Sequence, residues 1–221
     1  INDKLIKLAK ENDLLLIEDC CESHGATYNG KKVGTLGDMS CFSFYFGHHI
    51  TTIEGGMIST DNKEIYEFAK MFRSHGMTRE ASPETHEKYA KPDVNPLFTF
   101  AVPGYNMRSS EINAVLGLEQ INRLDYNIEA RCKNLKTWLA NLNPDLFFID
   151  FAVKGSSSYA LPLVLNKDNN KITKVCKILE EEEVEYRLGT AGGGNQARQP
   201  YLERYDFSVS GDLDNSNYIH D

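Results

Sequence analysis

Two adjacent histidines follow a run of aromatic residues in the segment Cys41–Gly56, which reads CFSFYFGHHITTIEGG. An imidazole exchanges a proton near neutral pH, so His48, at the end of a predicted strand, is a candidate general base. Ser43 lies five positions before His48 and could donate a hydrogen bond to a phosphate oxygen. The two glycines that close the segment allow a backbone to approach a bound group closely. The segment therefore predicts a proton-transferring loop that embraces a cofactor.

Two plainer interpretations of this segment stay open. The histidines could form a metal pair, but adjacent residues on a strand point to opposite faces of the sheet. No Cys or Asp stands nearby at a familiar metal-ligand spacing, so a metal site is disfavoured. The segment could also be a simple turn between two strands.

Acidic residues end another predicted strand. Leu14–Ile17 is a short apolar run followed directly by Glu18 and Asp19, which is typical of a buried parallel strand. In open α/β sheets, ligands collect at the carboxyl ends of strands, which makes these acids candidate binding residues. The alternative is an acid that only caps the next helix.

Two further motifs carry polar side chains. His75 and Arg79 follow a predicted helix in the sequence RSHGMTRE, and Asn106 lies in the sequence GYNMRSSE. A His-Gly pair at a helix end is also a common C-terminal cap. An Asn before a helix start is also typical of an Asx-turn.

Composition excludes several classes of function. The chain has 221 residues, a net charge of −8, 41% hydrophobic residues and 25% charged residues, with no basic stripe. We therefore expect neither nucleic acid nor an anionic membrane surface as a partner. No apolar run approaches the roughly 20 residues of a membrane span. Five cysteines without a C-x-x-C pair indicate a reducing, cytoplasmic location.

Strand patterns and helix patterns alternate along the chain, which predicts the α/β class. We expect a helix near Leu5–Ala9, a helix capped by Asp61, one long helix from Ser109 to about Leu142, and an irregular loop from Arg79 to Pro103. Both ends interrupt a pattern, so the chain is expected to be an internal piece of a longer protein. The predicted strands are Leu14–Ile17, a hairpin over Thr27–Gly34, Met39–Phe46, Gly56–Thr60, Ala160–Leu165 and Val184–Leu188.

Together these motifs resemble the DegT/DnrJ/EryC1/StrS family of sugar aminotransferases, which use pyridoxal 5'-phosphate (PLP), from about Leu14 to Tyr201. Ile17–Ala26 resembles the family's I-E-D-x-x-x-x-H-G-A, and the segment around Asn106 resembles its G-Y-N-x-R-x-x-E. The resemblance implies that Asp19 holds the pyridinium of the cofactor and that Glu22 lies over its ring. It also implies that Ser43 binds the cofactor phosphate and that Asn106 binds the cofactor phosphate in the partner subunit. His75 and Arg79 are implied to contact the substrate.

The family's segment carries a lysine that holds PLP as a Schiff base, and His48 stands at that position. The resemblance therefore implies a dehydratase that removes the C3 hydroxyl of a nucleotide-linked 4-keto-6-deoxyhexose, with GDP as the expected nucleotide. PLP would be converted to pyridoxamine 5'-phosphate by glutamate, and His48 would be the base. The expected assembly is a homodimer with shared active sites. An iron–sulfur relative is disfavoured because Phe72–Pro103 has no cysteine.

Two alternatives stay open. The protein could be an ordinary sugar aminotransferase whose lysine lies elsewhere, with Lys31 and Lys32 upstream. It could also be a degenerate binding subunit that kept the fold. The resemblance implies the fold of type I PLP enzymes, a mostly parallel sheet flanked by helices plus a smaller C-terminal α/β domain. We expect residues 1–115 to be part of the large cofactor domain, and residues 116–221 to be a connector helix and the small domain.

Overall fold

The computed structural model describes residues 2–166, 171–189 and 194–220. The chain divides into two compact units. The first unit comprises Ile1–Thr137 and Ala152–Leu161, and the second comprises Trp138–Phe151 and Pro162–Asp221. The assignment of residues 1–115 and 116–221 to a large and a small enzyme domain stays a prediction.

A three-stranded sheet and a separate hairpin form the β structure of the first unit. The sheet has the order β1-β4-β5, in which β1 is parallel to β4 and β4 is antiparallel to β5. Helices accompany these strands, so the α/β class is confirmed. The strands are β1 (Ile17–Asp19), β2 (Thr27–Tyr28), β3 (Lys31–Lys32), β4 (Met39–Ser43) and β5 (Gly56–Ser59).

Seven α-helices are assigned among the described residues. Helix α5 passes from the first unit into the second, and the two helices after it belong to the second unit. No helix in the described ranges is both long and apolar enough to cross a membrane. The helices are α1 (Asp3–Glu11), α2 (Lys63–Arg73), α3 (Pro83–Tyr89), α4 (Glu111–Ile121), α5 (Leu124–Asn141), α6 (Ile172–Glu181) and α7 (Asp214–His220).

The first strand begins later than its apolar run predicts. Strand β1 starts at Ile17, because the residues before it bond outside the sheet ladder. The Leu14 amide donates to the Ala9 carbonyl, and the Leu16 amide donates to a carboxylate oxygen of Asp38 at 2.7 Å. The apolar run therefore enters the sheet only at its last residue.

The start of α2 also differs from its prediction. Asn62, not Asp61, is the N-cap, and its side-chain oxygen accepts hydrogen bonds from the amides of Glu64 and Ile65. Asp and Asn both cap helices well, so the sequence alone does not distinguish Asn62 from Asp61 as the N-cap.

Two longer predictions were wrong in detail. The expected loop Arg79–Pro103 contains α3, which begins at Pro83 after the N-cap Ser82. The expected single long helix is two helices, because the chain tightens at Asn122 and the Arg123 amide donates to the Gln120 carbonyl. Neither Gly nor Pro marks that break, so the periodic pattern runs through it.

The second unit has helices and only an isolated strand bridge among its described residues. Phe147 and Leu165 form that bridge, and the Trp138 indole donates to the Pro162 carbonyl at 2.8 Å. The predicted strands Ala160–Leu165 and Val184–Leu188 are therefore wrong as regular strands. Residues 190–193, in the glycine-rich run, lie outside the described residues.

Candidate functional site

The two acids at the end of β1 have different surroundings. Glu18 is buried, and its carboxylate accepts three backbone hydrogen bonds, from Gly34 at 2.8 Å, Leu36 at 2.6 Å and Gly37 at 2.8 Å. Asp19 is exposed, because successive side chains of a strand point to opposite faces. Glu18 is thus occupied by backbone groups, and Asp19 is the acid available to a ligand.

Hydrogen bonds keep Asp19 ionised. The side chain and then the backbone amide of Cys21 hold the pKa of Asp19 below its usual value, and nearby His48 contributes in the same direction. The Cys21 amide lies 3.1 Å from Oδ1 of Asp19. Burial, with the hydrogen bond to Asp19, raises the pKa of the Cys21 thiol to about 12. A carboxylate that stays charged is suited to a cationic group such as a pyridinium.

His48 lies in the loop after β4 and faces an acid from the loop after β1. Its Nε2 is 3.8 Å from Oε1 of Glu22, and its ring makes edge-on contacts with Tyr45 and Tyr159, at centroid distances of 5.4 and 5.5 Å. Only 10% of the His48 side chain is exposed, against 37% for Glu22. The imidazole is thus held between two aromatic rings with one nitrogen turned toward a carboxylate.

Parallel pairing brings the ends of β1 and β4 together. Asp19 is paired with Cys41 in the register of these strands. Ser43 is the last residue of β4, and its hydroxyl oxygen accepts a hydrogen bond from the Tyr45 amide at 3.2 Å. Asp19, Glu22, Ser43 and His48 therefore form one group at the carboxyl ends of two neighbouring strands.

The adjacent histidines have separate partners. His49 is buried, and its Nε2 is 3.0 Å from the Ser157 carbonyl oxygen. A carbonyl only accepts hydrogen bonds, so that nitrogen carries the proton. His48 instead faces Glu22. Over the described ranges, no group of three or more His, Cys, Asp or Glu side chains could hold a metal ion.

Residues far along the chain complete the surroundings of the histidines. Tyr159 contacts His48, and its carbonyl accepts a hydrogen bond from the Arg131 guanidinium at 2.9 Å. Sequence reasoning missed Tyr159, Ser157 and Arg131. Their contacts depend on tertiary structure, and no local motif marks them.

The other predicted residues form a second group in the first unit. Ser74 and Asn106 form an antiparallel bridge, and the His75 amide donates to the Tyr105 carbonyl at 2.6 Å. The Asn106 side-chain oxygen accepts from Arg108 at 3.3 Å. His75 and Asn106 are exposed, as is Arg79, which lies in a short 3-10 helix four residues after His75.

No hydrogen bond or ring contact between described residues joins the two groups. The first group holds two carboxylates, a hydroxyl and an imidazole. The second group presents an amide, an imidazole and a guanidinium on the surface. The first group can hold a cation and transfer a proton, and the second can contact anionic or hydroxylated ligands.

His24 lies behind the first group in an apolar pocket. Its ring is buried beside Phe42, Phe44 and His49, at centroid distances of 5.4, 6.0 and 5.7 Å. Neither ring nitrogen has a hydrogen-bond partner among the described residues. Burial, followed by the neighbouring His49 and His48, lowers the pKa of His24 to about 4. His24 is therefore a neutral packing residue at physiological pH.

Comparison with known proteins identifies relatives across nearly the whole chain. The model of the DegT/DnrJ/EryC1/StrS aminotransferase family matches residues 3–221. GDP-4-keto-6-deoxy-D-mannose 3-dehydratase of Yersinia pseudotuberculosis is 34% identical over 98% of this chain and 56% of its own length. The chain thus spans little more than half the length of that relative.

Comparison with solved structures gives relatives of the same kind. A His-to-Asn variant of GDP-4-keto-6-deoxymannose 3-dehydratase with bound GDP-perosamine is 32% identical, with a TM-score of 0.88 over 99% of this chain and 57% of that one. The same kind of enzyme with a trapped PLP-glutamate geminal diamine is 30% identical, with a TM-score of 0.85 over the same shares.

The pocket of His24 generates a pH-dependent prediction. The unfolded chain protonates this residue below its ordinary pKa of about 6.5, whereas the folded protein does not until about pH 4. Stability from His24 is therefore complete above pH 6.5 and is lost as pH falls, by about 2 kcal/mol between pH 7.5 and pH 5. His24→Phe should flatten this part of the slope in urea unfolding at the two pH values. A control at exposed His75, His75→Gln, should keep the slope, and an unchanged slope in His24→Phe would contradict the assignment.

Proposed function

Because the chain belongs to the DegT/DnrJ/EryC1/StrS aminotransferase family, we propose that it carries the active site of a PLP-dependent nucleotide-sugar 3-dehydratase. The proposed substrate is a nucleotide-linked 4-keto-6-deoxyhexose, with GDP as the nucleotide. The observation that carries the proposal is His48, which stands where the family has its lysine and has Nε2 3.8 Å from Glu22. A histidine there can move a proton but has no amine for the cofactor.

The first group fits the cofactor chemically. Asp19 is exposed at the end of β1, and its hydrogen bonds keep it negative, which suits a protonated pyridine nitrogen. Ser43 offers a hydroxyl from the end of the neighbouring strand. PLP, converted to its pyridoxamine form, supplies an amine and an electron sink when bound. Asp19 and Ser43 would hold the two ends of that molecule, and Glu22 would lie along its ring.

His48 is suited to move a single proton. Tyr45 and Tyr159 contact its ring from the edge, which restricts its rotation. The Glu22 carboxylate lies 3.8 Å from Nε2, which gives this nitrogen an acceptor on one side. In this proposal His48 would take a proton from the methylene carbon of the pyridoxamine cofactor, and the C3 hydroxyl would leave with a proton as water. Hydrolysis would then release the amine nitrogen, supplied by glutamate, as ammonia together with a 3-deoxy-4-keto sugar.

Substrate and amino donor are proposed from the relatives. One related structure contains GDP-perosamine, and another contains a PLP-glutamate adduct. We assign His75 and Arg79 to the sugar nucleotide, because both are exposed and Arg offers a planar set of donors for phosphate. Glutamate is the proposed amino donor. The five free cysteines fit a reducing compartment, so the proposed location is the cytoplasm.

The proposed assembly is a homodimer with shared active sites. Asn106 is exposed, and no hydrogen bond or ring contact between described residues joins its side chain to His48. Both facts suit a residue that serves the cofactor phosphate of the partner subunit, because a twofold axis exchanges equivalent surfaces between two copies.

Neither an aminotransferase nor a degenerate binding subunit accounts for the site as well as the dehydratase does. An aminotransferase needs a lysine at the cofactor, but Lys31 and Lys32 lie in β3, in the hairpin outside the sheet of the site. A degenerate binding subunit has no need of an ionised Asp19 beside a restrained imidazole. We therefore retain the dehydratase as the single proposed function.

Changes at position 48 test the proposed base. His48→Asn in the intact protein should keep PLP binding and lower dehydration by about 10²–10⁴-fold, because the amide cannot accept the proton. His48→Lys should restore an amine and give PLP the absorbance of a lysine-linked cofactor. Borohydride treatment of the wild-type protein should yield no pyridoxyl-lysine by peptide mass analysis. Near-native turnover in His48→Asn would exclude the role.

The paired acids of β1 allow a matched comparison. Asp19→Asn should weaken PLP binding and turnover with little loss of stability, because the exposed amide cannot compensate the pyridinium charge. Glu18→Gln should instead lower the urea midpoint, because a neutral amide accepts less strongly from three backbone amides. PLP titration and urea unfolding of both variants measure the contrast. Unchanged PLP affinity in Asp19→Asn would remove it from the cofactor site.

Mixing two inactive variants tests the shared site. His48→Asn and Asn106→Ala should each lack activity as pure dimers. If Asn106 serves the partner, a mixed dimer has one intact site, and random pairing returns about a quarter of wild-type activity. Unfolding and refolding the two variants together, followed by assay, measures the recovery. No recovery, with mixed dimers demonstrated by mass, would place Asn106 in its own subunit's site.

A further inference from the structure

Asn113 in the first turn of α4 holds two carbonyls of a distant loop. Its Nδ2 donates to the Thr52 carbonyl at 2.8 Å and to the Glu54 carbonyl at 3.2 Å. At the other end of the amide, Oδ1 accepts from the backbone amide and the hydroxyl of Ser110. Donors on one side and acceptors on the other fix the orientation of this side chain.

The two carbonyls flank a residue in an unfavourable backbone conformation. Ile53 has φ +74°, a value that is a genuine outlier for a β-branched residue. The residue is 64% exposed, so packing contributes little to hold it there. Hydrogen bonds hold it instead: the Ile53 amide donates to the Thr51 hydroxyl at 2.9 Å, and the Thr52 hydroxyl donates to the Glu54 carbonyl at 2.9 Å.

This turn closes the loop that carries His48. The Thr52 amide donates to the Phe44 carbonyl at 2.9 Å, and the Phe44 amide donates to the Gly55 carbonyl at 2.8 Å. We call residues 44–55 the His48 loop. Helix α4 packs closely against its return limb, since a methyl group added at Gly117 would lie 3.2 Å from Cγ2 of Thr52.

We propose that Asn113 is a positioning residue for the reaction, and that it holds the His48 loop in its working conformation. The proposal rests on the proposed function, because it assigns His48 the proton transfer. Asn113 also caps the helix that directly follows the segment of Asn106. One amide therefore ties the segment of the base to the segment of the expected phosphate contact.

The chemistry of the side chain explains why an amide is needed. Only an amide supplies two N–H donors for the two carbonyls together with an oxygen for the cap. An aspartate would keep the cap but place carboxylate oxygens against the Thr52 and Glu54 carbonyls. An alanine would leave both carbonyls without this donor. The strained turn at Ile53 would then relax toward other backbone conformations.

The test uses the intact protein and three readouts. Asn113→Ala and Asn113→Asp are compared with Asn122→Ala, an exposed asparagine at the other end of the same helix. Hydrogen exchange of peptides covering residues 47–55 reports the loop without any assay of activity. The parameters kcat, per PLP-loaded site, and KM report positioning. Ile53→Gly, alone and with Asn113→Ala, tests rescue, because glycine adopts positive φ without strain.

The expected result is faster exchange of the His48 loop in both Asn113 variants. We expect kcat to fall on the order of 10- to 100-fold with KM nearly unchanged, because a small misplacement of a base is costly. Asn122→Ala should match the wild type, and Ile53→Gly with Asn113→Ala should recover most of kcat. If Asn113→Ala does not fold, Asn113→Ser, whose hydroxyl oxygen can still accept a hydrogen bond from Ser110, takes its place.

Two results would overturn the proposal. One is unchanged loop exchange in the Asn113 variants, and the other is unchanged kcat per loaded site. Failure of the proposed function is distinguishable. A wild-type protein that binds PLP without dehydratase turnover would refute the dehydratase, whereas faster loop exchange in the Asn113 variants would still show that Asn113 holds the His48 loop.

Discussion

The parallel pairing of β1 with β4 is the constraint on which the rest of the site depends. Two parallel neighbours end at the same edge of a sheet, so the pairing of Asp19 with Cys41 places the loops after both strands side by side. Glu22 comes from one of these loops and His48 from the other. Strand β5 adds an antiparallel neighbour, and its pairing of Gly56 with Ser43 returns the chain beside the site.

The buried carboxylate of Glu18 stabilises this end of the sheet. Glu18 takes three backbone amides from the turn at residues 34–37, where unpaired N–H groups would otherwise be costly. Because strand side chains alternate, the same interaction turns Asp19 to the opposite, open face. Glu18 therefore stabilises the fold, and Asp19 is available to a ligand. The hydrogen bonds from Cys21 keep Asp19 charged.

The sequence predicts the parts of this site that local patterns encode. The α/β class and the existence of β1, β4, β5 and α2 follow from periodicity and strand-end chemistry. The His48 segment, recognised by a family motif, lies beside Glu22 as neighbouring parallel strands require. Tyr159 and Ser157 contact the histidines from more than 100 residues along the chain, and Arg131 bonds the Tyr159 carbonyl, so no local pattern marks these three residues. The break between α4 and α5 also lacks Gly or Pro, so periodicity could not locate it.

Backbone strain occurs beside the candidate residues, and hydrogen bonds accompany it. Three non-glycine residues with positive φ border the candidate residues: Ile53 at 74°, His75 at 60° and Ser158 at 53°. A hydrogen bond holds each one, from Ile53 to the Thr51 hydroxyl, from His75 to the Tyr105 carbonyl and from Ser158 to the Ser156 hydroxyl.

Strain of this kind persists only when the surrounding structure over-determines it. The residue types do not reveal it, because isoleucine and serine seldom adopt this conformation and even histidine, which is enriched there, adopts it only in a minority of cases. The sequence does not predict these hydrogen bonds, and they hold the loops of His48, Asn106 and Tyr159 in place. The side chains that would do chemistry therefore depend on two kinds of hydrogen bond: local ones to Thr51 and Ser156, and ones between segments, from the His75 amide and from the Asn113 side chain.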